Sequence, residues 1–138
     1  MEAARDQKVI GKLFDGLRQA KLKNSGRRGE DLAHRFLRKQ GYTIVARNFR
    51  LSTGQAEADL IAWDNDTLVV VEVKSRESAD YGPPERAVGD EKLRHLQRAA
   101  RGYARKIDFD WRRIRFDLVT VILSDPPEIQ LYRNINGW

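Results

Sequence analysis

Cysteine is absent from the 138 residues, which excludes disulfides, thiolate zinc sites and a cysteine nucleophile, and fits a reducing compartment. Histidine is nearly absent too. His34 and His95 are the two that occur, so a histidine-rich metal centre is excluded. Each lies in charged, helix-like sequence with no nucleophile motif nearby, which argues against a Ser-His-Asp relay. No apolar run exceeds four residues, as in Leu68–Val71, far short of the roughly twenty that a membrane-spanning helix needs. The N-terminus is polar and lacks the apolar stretch of a signal peptide. These absences lead to the expectation of a soluble, cytoplasmic protein with no membrane partner, built around a single core.

What the chain has in abundance is charge, 33% of residues, with a formal net charge of +6. The distribution is uneven: residues 1–50 hold 13 Lys/Arg against 5 Asp/Glu, a balance of +8, while the remaining 88 carry −2. A basic N-terminal segment beside an acidic remainder suits a polyanion, because Lys and Arg that displace counterions from phosphates give sequence-independent affinity. Nucleic acid is the expected partner, DNA in the first instance, with Arg27 and Arg28 among the residues expected to contact it. A second copy of the chain, forming a homodimer, is a further candidate partner.

Apolar spacing predicts two long helices. Leu32, Ala33, Phe36 and Leu37 make one stripe between Gly26 and Gln40, closed by Gly41 as a left-handed residue. Leu93, Leu96, Ala100, Tyr103 and Ile107 make a second, with Asp90 as its expected cap. Tyr42–Arg50, Glu57–Trp63 and Thr67–Lys74 read as a strand meander, turned at Ser52-Thr53-Gly54 and at Asp64-Asn65-Asp66. Ile114–Leu123 and Ile129–Ile135 read as two further strands. Residues 1–24 form a separate basic arm in this reading, with Ile10, Leu13, Phe14 and Leu17 at helical spacing, and residues 25–138 form the domain. The order of helix, three strands, helix, two strands predicts an α/β protein with a single mixed central sheet flanked by helices.

Two charged residues end the apolar run of the third strand. Strand alternation sets Glu72 and Lys74 on one face, and Glu57 and Asp59 on one face of the second strand. A two-residue turn at Asn65-Asp66 would pair Asp64 with Thr67, and counting outward sets Asp59 opposite Glu72 and Glu57 opposite Lys74. Carboxylates crowded beside an apolar strand repel one another and lose solvation, and a divalent cation would relieve both. Oxygen donors without cysteine or a histidine pair select Mg²⁺ or Mn²⁺. The lysine could then orient an attacking water. The competing reading is a cross-strand salt bridge between Glu57 and Lys74, with Asp59 and Glu72 solvated.

Asp59, twelve residues, then Glu72-Val73-Lys74 matches the PD-(D/E)xK signature of restriction-endonuclease-like nucleases. The surrounding series is more specific: Gly29-Glu30, Ala33, Gly41-Tyr42, Asn48, Glu57-Ala58-Asp59-Leu60-Ile61-Ala62, Val71-Glu72-Val73-Lys74-Ser75-Arg76, Gly82, Ala87-Val88, Lys92 and Arg115-Phe116-Asp117. Over residues 26–135 the chain resembles the YraN-like family of small bacterial proteins, which is similar in fold to archaeal Holliday-junction resolvases. The resemblance implies a restriction-endonuclease-like fold with Asp59 and Glu72 as metal ligands and Lys74 as the catalytic lysine. It also implies that Glu30 reaches the metal from the first helix. On the residue alone, Glu30 is equally an acid favoured by the helix dipole. The chain departs from the family in carrying Gln55-Ala56 between Gly54 and Glu57, and Glu57 is kept as an accessory residue of the site.

Arg76 and Lys92 are candidate phosphate contacts. Their alternatives are an ion pair with Glu77 or Asp80 for the first and a solvated helix start for the second. Trp63 and Trp111 read as packing residues. The functional expectation is a metal-dependent hydrolase of DNA phosphodiesters, with branched DNA as one candidate substrate. A catalytically idle nucleic-acid-binding module and a protein-partner adaptor of the same fold are the alternatives.

Overall fold

The computed structural model describes residues 26–54, 56–78 and 88–135. Helix α1 occupies residues 26–39. It is followed by β1 (Thr43–Arg50), β2 (Glu57–Asp64), β3 (Thr67–Arg76), α2 (Asp90–Lys106), β4 (Arg115–Ile122) and β5 (Glu128–Tyr132). The arm expected over residues 1–24 lies outside the described residues, as do residues 79–87 between β3 and α2.

The strands form one sheet in the order β1-β2-β3-β4-β5. All neighbours are antiparallel except β3 and β4, which are parallel. A parallel pair cannot be closed by a hairpin, and α2 lies within the connection between the two. The expected mixed α/β sheet is therefore present. Because β3 is apolar on both faces, it sits at the centre and is covered from both sides. Leu68 and Val70 pack with Leu96, Ala99, Ala100 and Ala104 of α2, while Val69, Val71 and Val73 pack with Ala33 and Leu37 of α1.

Local chemistry explains the element ends. Gly41 adopts φ +95° and terminates α1, with Tyr42 N–H donating to the Leu37 carbonyl and Gly41 N–H to that of Arg38. Asn65 takes φ 53° in the β2–β3 turn, and Asp64 pairs with Thr67 as the count requires. The cap of α2 differs from expectation. Gly89 occupies that position without a side-chain hydrogen bond, and Asp90 is the first helical residue, where its charge meets the dipole. β5 ends at Tyr132, three residues short of the expected Ile135.

A buried polar cluster ties the α1 side of the sheet together. Asp117 is fully buried and accepts from Tyr42 Oη at 2.9 Å, from Arg115 Nε at 2.9 Å and from the Asn134 N–H at 3.0 Å. Arg115 also reaches Asp64 at 2.8 Å, and Arg133 donates to Tyr42 Oη at 3.1 Å. The Asp117–Arg115 pair thereby links the residue before β1, the end of β2, β4 and the segment after β5.

Candidate functional site

The β2–β3 ladder runs from Asp64↔Thr67 to Leu60↔Val71 and ends there, whereas β1 and β2 stay paired as far as Arg50↔Glu57. The β1–β2 ribbon thus separates from β3 beginning at Asp59. Asn48 faces this point and carries φ 50°, a left-handed conformation that asparagine tolerates better than most residues. The separation frees the Val73 N–H, and the Asp59 carboxylate takes it up: Oδ2 accepts that bond at 2.9 Å. Asp59 and Glu72 are therefore not the ladder pair that counting predicts. They meet through their side chains where the strands part.

Glu72 is the most unusual residue of the site. Its side chain is only 3% exposed, and its Oε1 lies 3.5 Å from Lys74 Nζ and 3.6 Å from Lys92 Nζ. Its Oε2 is buried without a hydrogen-bond partner. Burial first, and then repulsion from Asp59, push its pKa up to about 8 against the pull of Lys92 and Lys74. A buried carboxylate with one oxygen held by ammoniums and the other bare is a group short of a partner.

Glu30 comes to the site because α1 makes an unusually close approach to β3. A Cβ on Gly29 would lie 1.6 Å from Ser75 Oγ and 2.8 Å from Ser75 Cβ, so only glycine permits this packing. Burial and the Asp59 charge raise the Glu30 pKa, while a hydrogen bond to Asn48 and the Arg47 charge oppose the rise. Arg47 lies 3.8 Å from Glu30 and 2.7 Å from Asp31.

Glu57 does not pair with Lys74. It lies opposite Arg50 on β1 and bonds it at 3.3 Å, because the ribbon that carries it has turned away from β3. The salt-bridge alternative is therefore corrected. Arg76 donates to the Ser75 carbonyl at 3.2 Å, and Arg27 and Arg28 are exposed on the first turn of α1. Trp63 packs edge-on against Phe109, while Trp111 is 46% exposed, with Arg101 over its ring at 4.1 Å. His34 is half-buried on α1, with its Nδ1 buried and unpartnered.

Sequence reasoning left Asn48 and Gly29 without roles and assigned Lys92 only to phosphate. An asparagine inside a strand was the available sign for the first, given its tolerance of positive φ. Nothing in the local pattern announces that Lys92 reaches Glu72, since the contact crosses from helix to strand.

Among the described residues, no three His, Cys, Asp or Glu side chains converge as a ready metal cage. Mg²⁺ does not require one, because it keeps several waters and is commonly held by one or two carboxylates together with substrate phosphates. The donor chemistry of Asp59 and Glu72, with Glu72 Oε2 buried and unpartnered, fits such an ion.

A five-stranded mixed sheet with a helix on each face defines an α/β protein whose architecture is consistent with the restriction-endonuclease-like fold. The sequence model of the Uncharacterised protein family UPF0102 matches residues 29–121. The chain belongs to this YraN-like family. It is 52% identical over 129 residues to a UPF0102 protein of Solibacter usitatus, covering 91% of this chain and 98% of that one. A UPF0102 protein of Paenarthrobacter aurescens is 47% identical over 106 residues, 77% of this chain and 86% of its own. One from Persephonella marina is 42% identical over 97 residues, 70% of this chain and 82% of its own.

Proposed function

We propose that this protein is a Mg²⁺- or Mn²⁺-dependent nuclease that binds DNA and hydrolyses its phosphodiesters, with Asp59 and Glu72 holding the ion. The observation that carries the reading is the buried, unpartnered Oε2 of Glu72 beside Asp59, with Lys74 3.5 Å from the other oxygen. When bound, the divalent cation would supply Lewis-acid stabilisation of charge on the scissile phosphate and favour attack by water.

The chain's own residues do the rest. Asp59 is held in place by the Val73 N–H, so its second oxygen is directed without a reorganisation cost. Lys74 orients the attacking water and balances charge. Glu30, steadied by Asn48, stands as an outer carboxylate to the same centre. Lys92 opposes the rise in the Glu72 pKa, and Lys92, Arg76, Arg27 and Arg28 are the side chains assigned to the phosphates of the substrate.

A binding module without catalysis is the second reading, favoured by one observation: two lysines already lie 3.5 and 3.6 Å from Glu72 Oε1. One assay separates the two. Linear, flapped and four-way DNAs are incubated with Mg²⁺ or Mn²⁺, using wild type and Lys74→Ala. Metal-dependent cleavage lost in the variant supports the nuclease. Binding without cleavage of any substrate by wild type at millimolar Mn²⁺ supports the module.

A further inference from the structure

Helix α2 carries six basic side chains from Lys92 to Lys106 and no acidic one over that span. Its apolar side, with Leu96, Ala99, Ala100 and Ala104, is buried against the sheet. Arg94, Arg98, Arg101 and Arg105 are all exposed. At helical spacing these four fall within an arc of about 60° and extend about 16 Å along the axis. Among the described residues, Arg94, Arg98 and Arg105 make no ion pair. The stripe continues past the helix into the 3-10 turn Trp111–Arg113, where Arg101 covers the exposed Trp111 ring at 4.1 Å.

A helix face that is merely solvated mixes its signs, because acids and bases three or four residues apart attract and like charges there repel. Here the successive spacings of four, three and four residues set arginine against arginine each time. The arrangement weakens the isolated helix and creates a one-sign field that suits a polyanion. Lys92 lies on the opposite side of the helix from the stripe, turned toward Glu72. The stripe is therefore distinct from the carboxylate site and separated from it by the thickness of α2.

We infer that the outer face of α2 is a second nucleic-acid contact surface, on which Arg94, Arg98, Arg101 and Arg105 engage the phosphates of a DNA segment flanking the one at the carboxylate site. Guanidinium groups suit this role because their planar donors match phosphate oxygens. The inference rests on the reading of the protein as DNA-binding, and it adds where the flank of the substrate lies.

The test is fluorescence anisotropy with a labelled duplex and a four-way junction over a series of KCl concentrations, without divalent metal. The proteins are wild type, Arg94→Gln/Arg98→Gln/Arg101→Gln/Arg105→Gln and Asp59→Asn. Each phosphate contact contributes about 0.9 to the slope of log K against log salt, so the fourfold variant should bind with a slope shallower by about 3 to 4. Asp59→Asn should keep the wild-type slope. The fourfold variant should also melt at the wild-type temperature or above, since glutamine keeps the helix and the repulsion is gone. A variant with unaltered helicity that binds with the wild-type slope overturns the second surface while leaving the metal reading intact. Wild-type protein without salt-dependent binding overturns the surface and the DNA reading together. If Asp59→Asn keeps the wild-type slope while the fourfold variant alone loses it, the second surface stands.

Discussion

Asp59 Oδ2 accepts the main-chain N–H of Val73 at 2.9 Å, at the point where the β1–β2 ribbon leaves β3. A carboxylate occupies the place of a strand carbonyl, so the end of the ladder and the start of the candidate site are one feature. Asparagine could accept the same bond through its own oxygen. Substitution there tests charge without dismantling the backbone arrangement.

Metal should therefore act on stability through Asp59. With Mn²⁺ raised to millimolar concentration, the melting temperature of wild type should climb by mass action, and in Asp59→Asn it should stay flat. Lys74→Ala should retain the climb but lose cleavage, since the lysine acts on water and not as a ligand. Scanning calorimetry beside a nuclease assay reads both.

Glu72 gives a pH dependence of definite sign. Its folded pKa of about 8 lies above the ordinary 4.5, so between those values the folded protein holds a proton that the unfolded chain has released. Stability without metal should fall as pH rises from about 4.5 to 8, at up to about 1.4 kcal/mol per pH step. Glu72→Gln removes the titrating group and can accept from the lysines and donate to Asp59. Its urea denaturation midpoints should be nearly flat across this window and higher than those of wild type at pH 8.

Gly29 sets how closely α1 approaches β3. Gly29→Ala should destabilise by about 1 to 3 kcal/mol, because the new Cβ meets Ser75 and the helix must move outward. Adding Ser75→Gly should recover much of that loss in a double-mutant cycle. If the two substitutions prove additive, the close approach is not what the glycine serves.

Asp117→Ala should be among the most damaging substitutions in the chain. It leaves Tyr42, the Asn134 N–H and part of Arg115 without their acceptor. Losses of about 3 to 5 kcal/mol accompany a broken buried pair, and the low end applies here because Arg115 retains Asp64. Glu57→Ala should by contrast cost about 0 to 1 kcal/mol, as its partner Arg50 is largely solvent-exposed. Equilibrium urea unfolding separates the two by several-fold.

Much of the architecture is legible in the sequence for plain reasons. The 3.6-residue stripe of Ala33 and Leu37 needs a sheet to cover it, and the unbroken Leu68–Val71 run needs cover on both faces. The Asn65 turn fixes Asp64 opposite Thr67. Six bases and no acid from Lys92 to Lys106 are visible without any fold.

The site is legible as residue types and only in part as geometry. Counting from the turn assumes a continuous ladder and leads to Glu57 opposite Lys74. The ladder stops at Leu60, Glu57 turns toward Arg50, and Glu72 finds Lys92 on a helix that begins eighteen residues later. Sequence by itself determined the elements, their faces and the carboxylate and lysine types, because those follow from periodicity and local turn chemistry. Where the strands part, which lysines meet Glu72 and how near α1 comes to Ser75 were decided only by tertiary structure. Each is a contact between segments distant in the chain, set by how helices and sheet pack around one core.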